Sequence, residues 1–186
     1  TMIKRYLITD PSFYTSDPAK LVEKLLSIKA KHTPDYICLR DKQTADYKTL
    51  AQAVVKAGIQ DQHTKLYLHT DFELAHELRC DGVHLPSHAL DKIEMAKAFD
   101  LEVIVSTHTF SDIEEAQKRG ADAITFSPIF ATPNKGEPLG LEKLKEINDR
   151  IHIKCFALGG IINTDQVNAC EDVGVYGFAS IRFFLD

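Results

Sequence analysis

Two strand ends carry the clearest chemistry in this chain. The stretch Ser127-Pro128-Ile129-Phe130-Ala131-Thr132-Pro133-Asn134-Lys135-Gly136 reads as an apolar strand running into a polar loop with a single lysine. Downstream, the apolar residues 153–158 end in Gly159-Gly160-Ile161. Glycines at a strand end let backbone N–H groups approach an anion, because no Cβ stands in the way. The plainer reading of a Gly-Gly pair, a tight turn, stands beside that one. Phosphate handling is the chemistry these two loops predict together.

Further polar residues fall at the ends of other strand patterns. Arg40 and Lys42 follow Cys38 at period two, and with Lys135 they are cations suited to phosphoryl oxygens. Surface ion pairs are the competing reading for each. Asp71 either holds Mg²⁺ or caps the helix that follows it, and spacing alone favours the cap. His108 follows the strand pattern 103–106, where an imidazole either gives and takes protons near neutral pH or is hydrogen-bonded into the barrel rim as a structural group. Ser106, Thr132, Asn134 and Arg182 complete the polar set, with His84 as the next histidine candidate. His84 and His88 are four apart, but Pro86 between them removes the helical spacing of a zinc pair. His32, His63, His76 and His152 read as solvated.

The elements that must position these residues alternate regularly. Strand patterns at 3–9, 36–40, 66–70, 82–85, 101–106, 123–126, 153–158 and 176–180 are separated by helical patterns at 18–31, 44–60, 71–79, 90–99, 111–119, 141–149 and 164–171. The helix at 111–119 opens with Ser-Asp-Ile-Glu, a capping-box pattern. Eight such units predict an α/β protein with a closed (β/α)₈ barrel rather than an open sheet. A chain of 186 residues is short for that fold, typically ~250 residues, so the loops are expected to be tight. The last helix is reduced to 182–185 or absent, which leaves a flank for a second subunit in a homo-oligomer.

Composition bounds the rest. At 44% hydrophobic content, residues 1–186 read as one globular domain. A net charge of -5 gives no electrostatic footprint for nucleic acid or an anionic membrane. No apolar run reaches membrane-spanning length, and Thr1-Met2-Ile3-Lys4-Arg5 leads straight into a strand without a signal-peptide pattern. Cys38, Cys80, Cys155 and Cys170 are scattered, as expected of reduced thiols in a cytoplasmic protein.

In this set and order the residues resemble the thiamine phosphate synthase/TenI family along nearly the whole chain. The matching segments are Tyr6-Leu7-Ile8-Thr9-Asp10, Leu39-Arg40-Asp41-Lys42, Asp71 with Ala75, Asp81-Gly82-Val83-His84-Leu85, Ser106-Thr107-His108, Ser127 to Thr132 with Lys135, and Gly159-Gly160-Ile161. The resemblance implies a TIM barrel acting on a phosphorylated thiazole. It also implies two activities. The synthase joins hydroxymethylpyrimidine pyrophosphate to thiazole phosphate with Mg²⁺ and releases pyrophosphate. TenI-type proteins tautomerise a carboxythiazole phosphate to its aromatic form and need no cofactor. This chain departs from the synthase pattern at Cys38, Thr70, Ala89, Asn134 and Arg182, and Ala89 stands where the second metal aspartate falls. Leu85-Pro86-Ser87 resembles the TenI type, whereas Arg40, Lys42, Asp71 and Lys135 keep the synthase pattern. The primary expectation is a thiazole tautomerase with His108 as the proton carrier. The alternatives are a synthase using Mg²⁺ at Asp71, and a non-catalytic binder of thiazole or thiamine phosphates.

Overall fold

The computed structural model describes residues 2–186. Eight parallel strands close into a barrel in chain order: β1 (Lys4–Ile8), β2 (Tyr36–Leu39), β3 (Lys65–His69), β4 (Gly82–Leu85), β5 (Glu102–Thr107), β6 (Ala123–Phe126), β7 (Lys154–Leu158) and β8 (Gly177–Ser180). Closure is made where β1 pairs with both β2 and β8. Seven helices alternate with them: α1 (Pro18–His32), α2 (Tyr47–Lys56), α3 (Phe72–Glu77), α4 (Ile93–Ala98), α5 (Phe110–Lys118), α6 (Gly140–Arg150) and α7 (Thr164–Val173). Residues after β8 form a 3₁₀ turn, Phe183–Leu185. The closed barrel agrees with the sequence.

Local chemistry sets most helix starts. The carboxylates of Asp17, Asp46 and Asp71 accept the amides of Lys20, Thr49 and Leu74, and Asn163 accepts that of Gln166. Each satisfies an amide that the first helical turn leaves without a partner. Two expected helices differ. The pattern at 44–60 forms a helix only from Tyr47 to Lys56, because Asp41 folds the preceding chain into a turn by accepting the Gln43 and Thr44 amides. The capping pattern expected at Ser111 is shifted: Thr109 is the cap and accepts the Asp112 amide. The stretch expected as one helix at 90–99 is a 3₁₀ turn, Ser87–Lys92, kinked at Ala89, followed by α4.

Strand alternation divides the interior in two. Outward residues such as Leu7, Ile37, Leu68, Val103 and Phe178 pack under the helices. Inward residues form a second cluster in the lumen, with Tyr6, Tyr36, Tyr67 and Phe156 as its bulk. These rings fit because glycines face them. A Cβ on Gly82 would lie 2.6 Å from the Tyr67 ring and 2.2 Å from the Glu102 carbonyl oxygen, and one on Gly177 would lie 2.6 Å from the Phe156 ring. All four cysteines are free and buried. His32, expected to be solvated, instead closes α1 against Phe183 and Phe184, with ring centroids 5.8 and 5.6 Å away. Among the described residues, no helix is long and apolar enough to cross a membrane.

Gly82→Ala is therefore expected to destabilise the protein by about 2–3 kcal/mol, the cost of overpacking a filled interior. Gly120→Ala meets no atom within 4 Å and bears only the strain of its φ of +89°, about 1 kcal/mol. Urea unfolding of both variants measures the difference; equal losses would show that the lumen is not tightly filled.

Candidate active site

The candidate residues collect on the rim at the C-terminal ends of the strands, the face where such barrels place their chemistry. They fall into three neighbouring groups. The first surrounds a cavity of about 420 Å³ between the ends of β2, β3 and β4, lined by Lys42, His69, Thr70, Asp71 and His88. Tyr47 ties this corner together: its hydroxyl donates to the Leu39 carbonyl at 2.5 Å and accepts the His69 amide at 3.1 Å. Arg40 stands at the end of β2 with its guanidinium 3.5 Å from the Asp10 carboxylate, so part of its charge is already answered. Lys42 is exposed and makes no ion pair among the described residues. Lys135 sits on the loop between β6 and α6 and does not line this cavity.

The second group is the glycine loop. The segment after β6 is stitched onto the end of β7: the Ile129 amide donates to the Leu158 carbonyl at 2.9 Å and the Phe130 amide to the Gly159 carbonyl at 3.0 Å. Gly159 and Gly160 have φ of +111° and +69°, and a Cβ on either would strike Pro128 or Ala131 at 2.7 and 2.6 Å. Glycine is therefore required here for the close approach of two loops. The same geometry leaves amides free. Among the described residues, the Gly160, Ile181 and Arg182 N–H groups meet no acceptor. Unpaired amides at the ends of strands are the kind of donors that an anion can use. Tyr14 pins the end of β8 by donating to the Ile181 carbonyl at 2.6 Å. Arg182 lies 5.6 Å over the Phe13 ring, while Thr132 folds onto the Phe130 carbonyl at 3.1 Å and Asn134 takes a left-handed turn before Lys135.

His108 and the lumen make the third group. The His108 ring Nδ1 lies 3.0 Å from the Ser127 carbonyl oxygen. Ser127 Oγ lies farther from Nδ1, at 3.3 Å, and the nearer carbonyl only accepts, which favours the tautomer with its hydrogen on Nδ1 and a lone pair on Nε2. His108 is exposed, so that lone pair is open to a ligand. Beneath it, His84 is buried in the lumen with Tyr6 Oη at 2.6 Å from Nδ1 and Ser106 Oγ at 2.9 Å from Nε2. Sequence reasoning passed over Tyr6 and Tyr47, because only the register shows that Tyr6 faces inward and only the packed α2 brings Tyr47 to the rim.

The donor set does not suit Mg²⁺ held by paired carboxylates. Asp71 gives one oxygen to the α3 cap at 3.0 Å, and Ala89 offers only a buried methyl. Asp41 spends its carboxylate on Ser16 and two amides. Among the described residues, no three histidine, cysteine or carboxylate side chains gather as a metal site.

Burial sets the histidine charges. Desolvation lowers His84 to about 3 and His69 to about 4, with Arg40 adding repulsion to both. Both rings are neutral in the folded protein near pH 7, and in the unfolded chain they take up protons near ~6.5. Between those values the unfolded state binds more protons, so stability falls as pH falls below about 6.5, by up to about 1.4 kcal/mol per pH unit for each ring. Urea unfolding at successive pH values is expected to show this loss, and His69→Gln to reduce the slope by roughly one ring's share. A slope unchanged by that substitution would contradict the assignment.

With the geometry in place, comparison with known proteins is informative. The family model described as thiamine monophosphate synthase matches residues 5–184. A protein of Aquifex aeolicus provisionally named thiamine-phosphate synthase 2 is 34% identical over 97% of both chains. The thiamine-phosphate synthase of Clostridium novyi is 31% identical over 98% of this chain and 90% of its own. A solved thiamine phosphate pyrophosphorylase from Pyrococcus furiosus superposes with a TM-score of 0.79 at 25% identity, covering 96% of this chain and 85% of that one. Matched by the family model over residues 5–184 and by relatives over nearly its whole length, the chain belongs to the thiamine monophosphate synthase family of thiamine biosynthesis.

Proposed function

We propose that this chain is a thiazole phosphate tautomerase. The observation that carries the reading is an exposed His108 whose Nδ1 lies 3.0 Å from the Ser127 carbonyl oxygen, which leaves Nε2 for the substrate. The substrate phosphate rests on the free amides of Gly160 and the β8 end, with Lys135 and Arg182 as the exposed cations of the neighbouring loops. His108 Nε2 takes a proton from one carbon of the carboxythiazole unit and returns it to another. No proton or electron is gained or lost overall, and the gain of aromaticity drives the step. One placed base and a phosphate clamp suffice, which fits a donor set without paired carboxylates.

A second reading, thiamine phosphate synthase, draws on the names of the relatives and on one feature of the rim. Lys42 and Asp71 share a cavity set apart from the glycine loop, which offers a place for a second anionic substrate. Arg40 and Lys42 would then face a pyrophosphate, and Asp71 is the one carboxylate available to Mg²⁺.

His108→Asn is expected to lower turnover of carboxythiazole phosphate by roughly 10²–10⁴-fold with little change in affinity, followed by the absorbance of the aromatic product. A variant within about threefold of wild type would remove His108 from the mechanism. Pyrophosphate release from hydroxymethylpyrimidine pyrophosphate and thiazole phosphate, assayed with and without Mg²⁺, separates the two readings. The tautomerase reading expects only background, and Ala89→Asp is expected to tighten Mg²⁺-pyrophosphate binding. Robust release by the unmodified protein would establish the synthase. Binding of the carboxythiazole without turnover of either kind would leave only a binder.

A further inference from the structure

We infer that Tyr6 and His84 form a buried hydrogen-bond relay that sets Ser106 as a donor, so that this part of the site selects a ligand presenting an acceptor atom. The inference deepens the thiazole reading, since it assigns what the lumen side of that site recognises. The chain of contacts runs Tyr6 Oη to His84 Nδ1 at 2.6 Å, then His84 Nε2 to Ser106 Oγ at 2.9 Å.

Two directions are available for the protons. In one, the Tyr6 hydroxyl donates to Nδ1, the single N–H of the neutral ring sits on Nε2 and donates to Ser106 Oγ, and the serine hydrogen is left for the ligand. In the other, Nδ1–H donates to Tyr6, the phenol hydrogen turns elsewhere, and Ser106 spends its hydrogen on Nε2. The two lengths decide between them: 2.6 Å to Nδ1 is shorter than an N–H donor normally makes and fits an O–H donor, whereas 2.9 Å from Nε2 is the ordinary length of an N–H to oxygen bond. Tyr6 is fully enclosed and desolvation holds its phenol well above its ordinary range, so it keeps its hydrogen. The alternative acceptor is the thiol of Cys38, pushed up to about 12 by its own burial and so neutral. A neutral sulfur is a weak acceptor and an imidazole nitrogen a strong one. The short Tyr6–His84 contact is thus a phenol donating to Nδ1, and the relay runs toward the rim.

A second observation points the same way. Thr125 is paired in register with Ser106 and shares the lumen face with Ala123 and Phe156. Its hydroxyl is buried and meets no partner among the described residues. A buried hydroxyl without a partner is costly. Thr125 is sealed within the lumen, so the half-buried Ser106 is the hydroxyl of this polar layer that can offer its hydrogen to an acceptor on a bound ligand, such as a carboxylate oxygen or a ring nitrogen. Tyr6 and His84 act on the ligand through Ser106, so both are positioning residues.

The direct test is the tautomer of His84, read by two-bond ¹H–¹⁵N correlation on the histidine-labelled free protein. The expected spectrum has a protonated Nε2 and a bare Nδ1. A protonated Nδ1 would overturn the relay whatever the enzyme does, and this readout needs neither turnover nor a variant. Binding of thiazole phosphate and of carboxythiazole phosphate is then compared by calorimetry. Ser106→Ala is expected to weaken the carboxylated ligand about tenfold, the loss of one good hydrogen bond, and Ser106→Thr to restore it. Tyr6→Phe is expected to shift the His84 tautomer ratio and weaken the same ligand in the same direction. Equal binding by Ser106→Ala and wild type would also overturn the inference. If neither thiazole binds, the thiazole reading fails while the spectrum still decides the relay.

Discussion

The aromatic filling of the barrel lumen is the constraint on which the rest of this structure depends. Tyr6, Tyr36, Tyr67 and Phe156 occupy the lower interior with ring centroids 5.0–6.2 Å apart. Gly82 and Gly177 are the spaces that admit two of them. Because that volume is filled, the next inward layer is lifted toward the C-terminal rim. It holds Cys38, His69, His84, Ser106 and Thr125, which are small or polar. The lumen therefore passes from a hydrocarbon floor to a hydrogen-bonded ceiling within one turn of the strand pleat. Burial by the aromatic floor also keeps His84 neutral, and a neutral His84 is what allows a directed chain of hydrogen bonds to form above it.

The rim divides its labour by charge type. At the β7 and β8 ends the proposed phosphate seat is made of unpaired backbone amides, beside glycines that two loops need for close packing. At the β2 and β3 ends it comes from side chains, and there Asp10 already holds Arg40. A fixed amide nest is preorganised and costs little to order, whereas an exposed lysine must give up rotamer freedom. This difference supports the glycine loop as the phosphate seat and leaves the Lys42 corner as the place where a second substrate, if one is used, would lie.

Much of this was legible in the residues. The alternation of patterns predicted a closed eight-stranded barrel, and the order of motifs predicted the family, because both are written in local spacing. Asp71 could be read as a helix cap for the same reason, and the structure shows it accepting the Leu74 amide. What local spacing does not carry is which side of a strand faces inward once the barrel closes. Tyr6 looked like one more aromatic of a first strand, and His84 like a strand-end histidine. Their contact joins residues 78 apart in the chain. The pairing of Arg40 with Asp10 is likewise a property of loops on different strands. His32 was misread because the turn that covers it, Phe183–Leu185, lies at the opposite end of the sequence.

The central claim is that the phosphate of a thiazole substrate sits on the amides at the ends of β7 and β8 with its ring beneath the His108 imidazole. A crystal structure of the protein with carboxythiazole phosphate tests it most directly. The account predicts phosphate oxygens within hydrogen-bond reach of the Gly160 amide and of the amides after Ser180, with His108 Nε2 facing a carbon of the ligand. A phosphate found against Lys42 and Asp71, with the glycine loop bare, would contradict it.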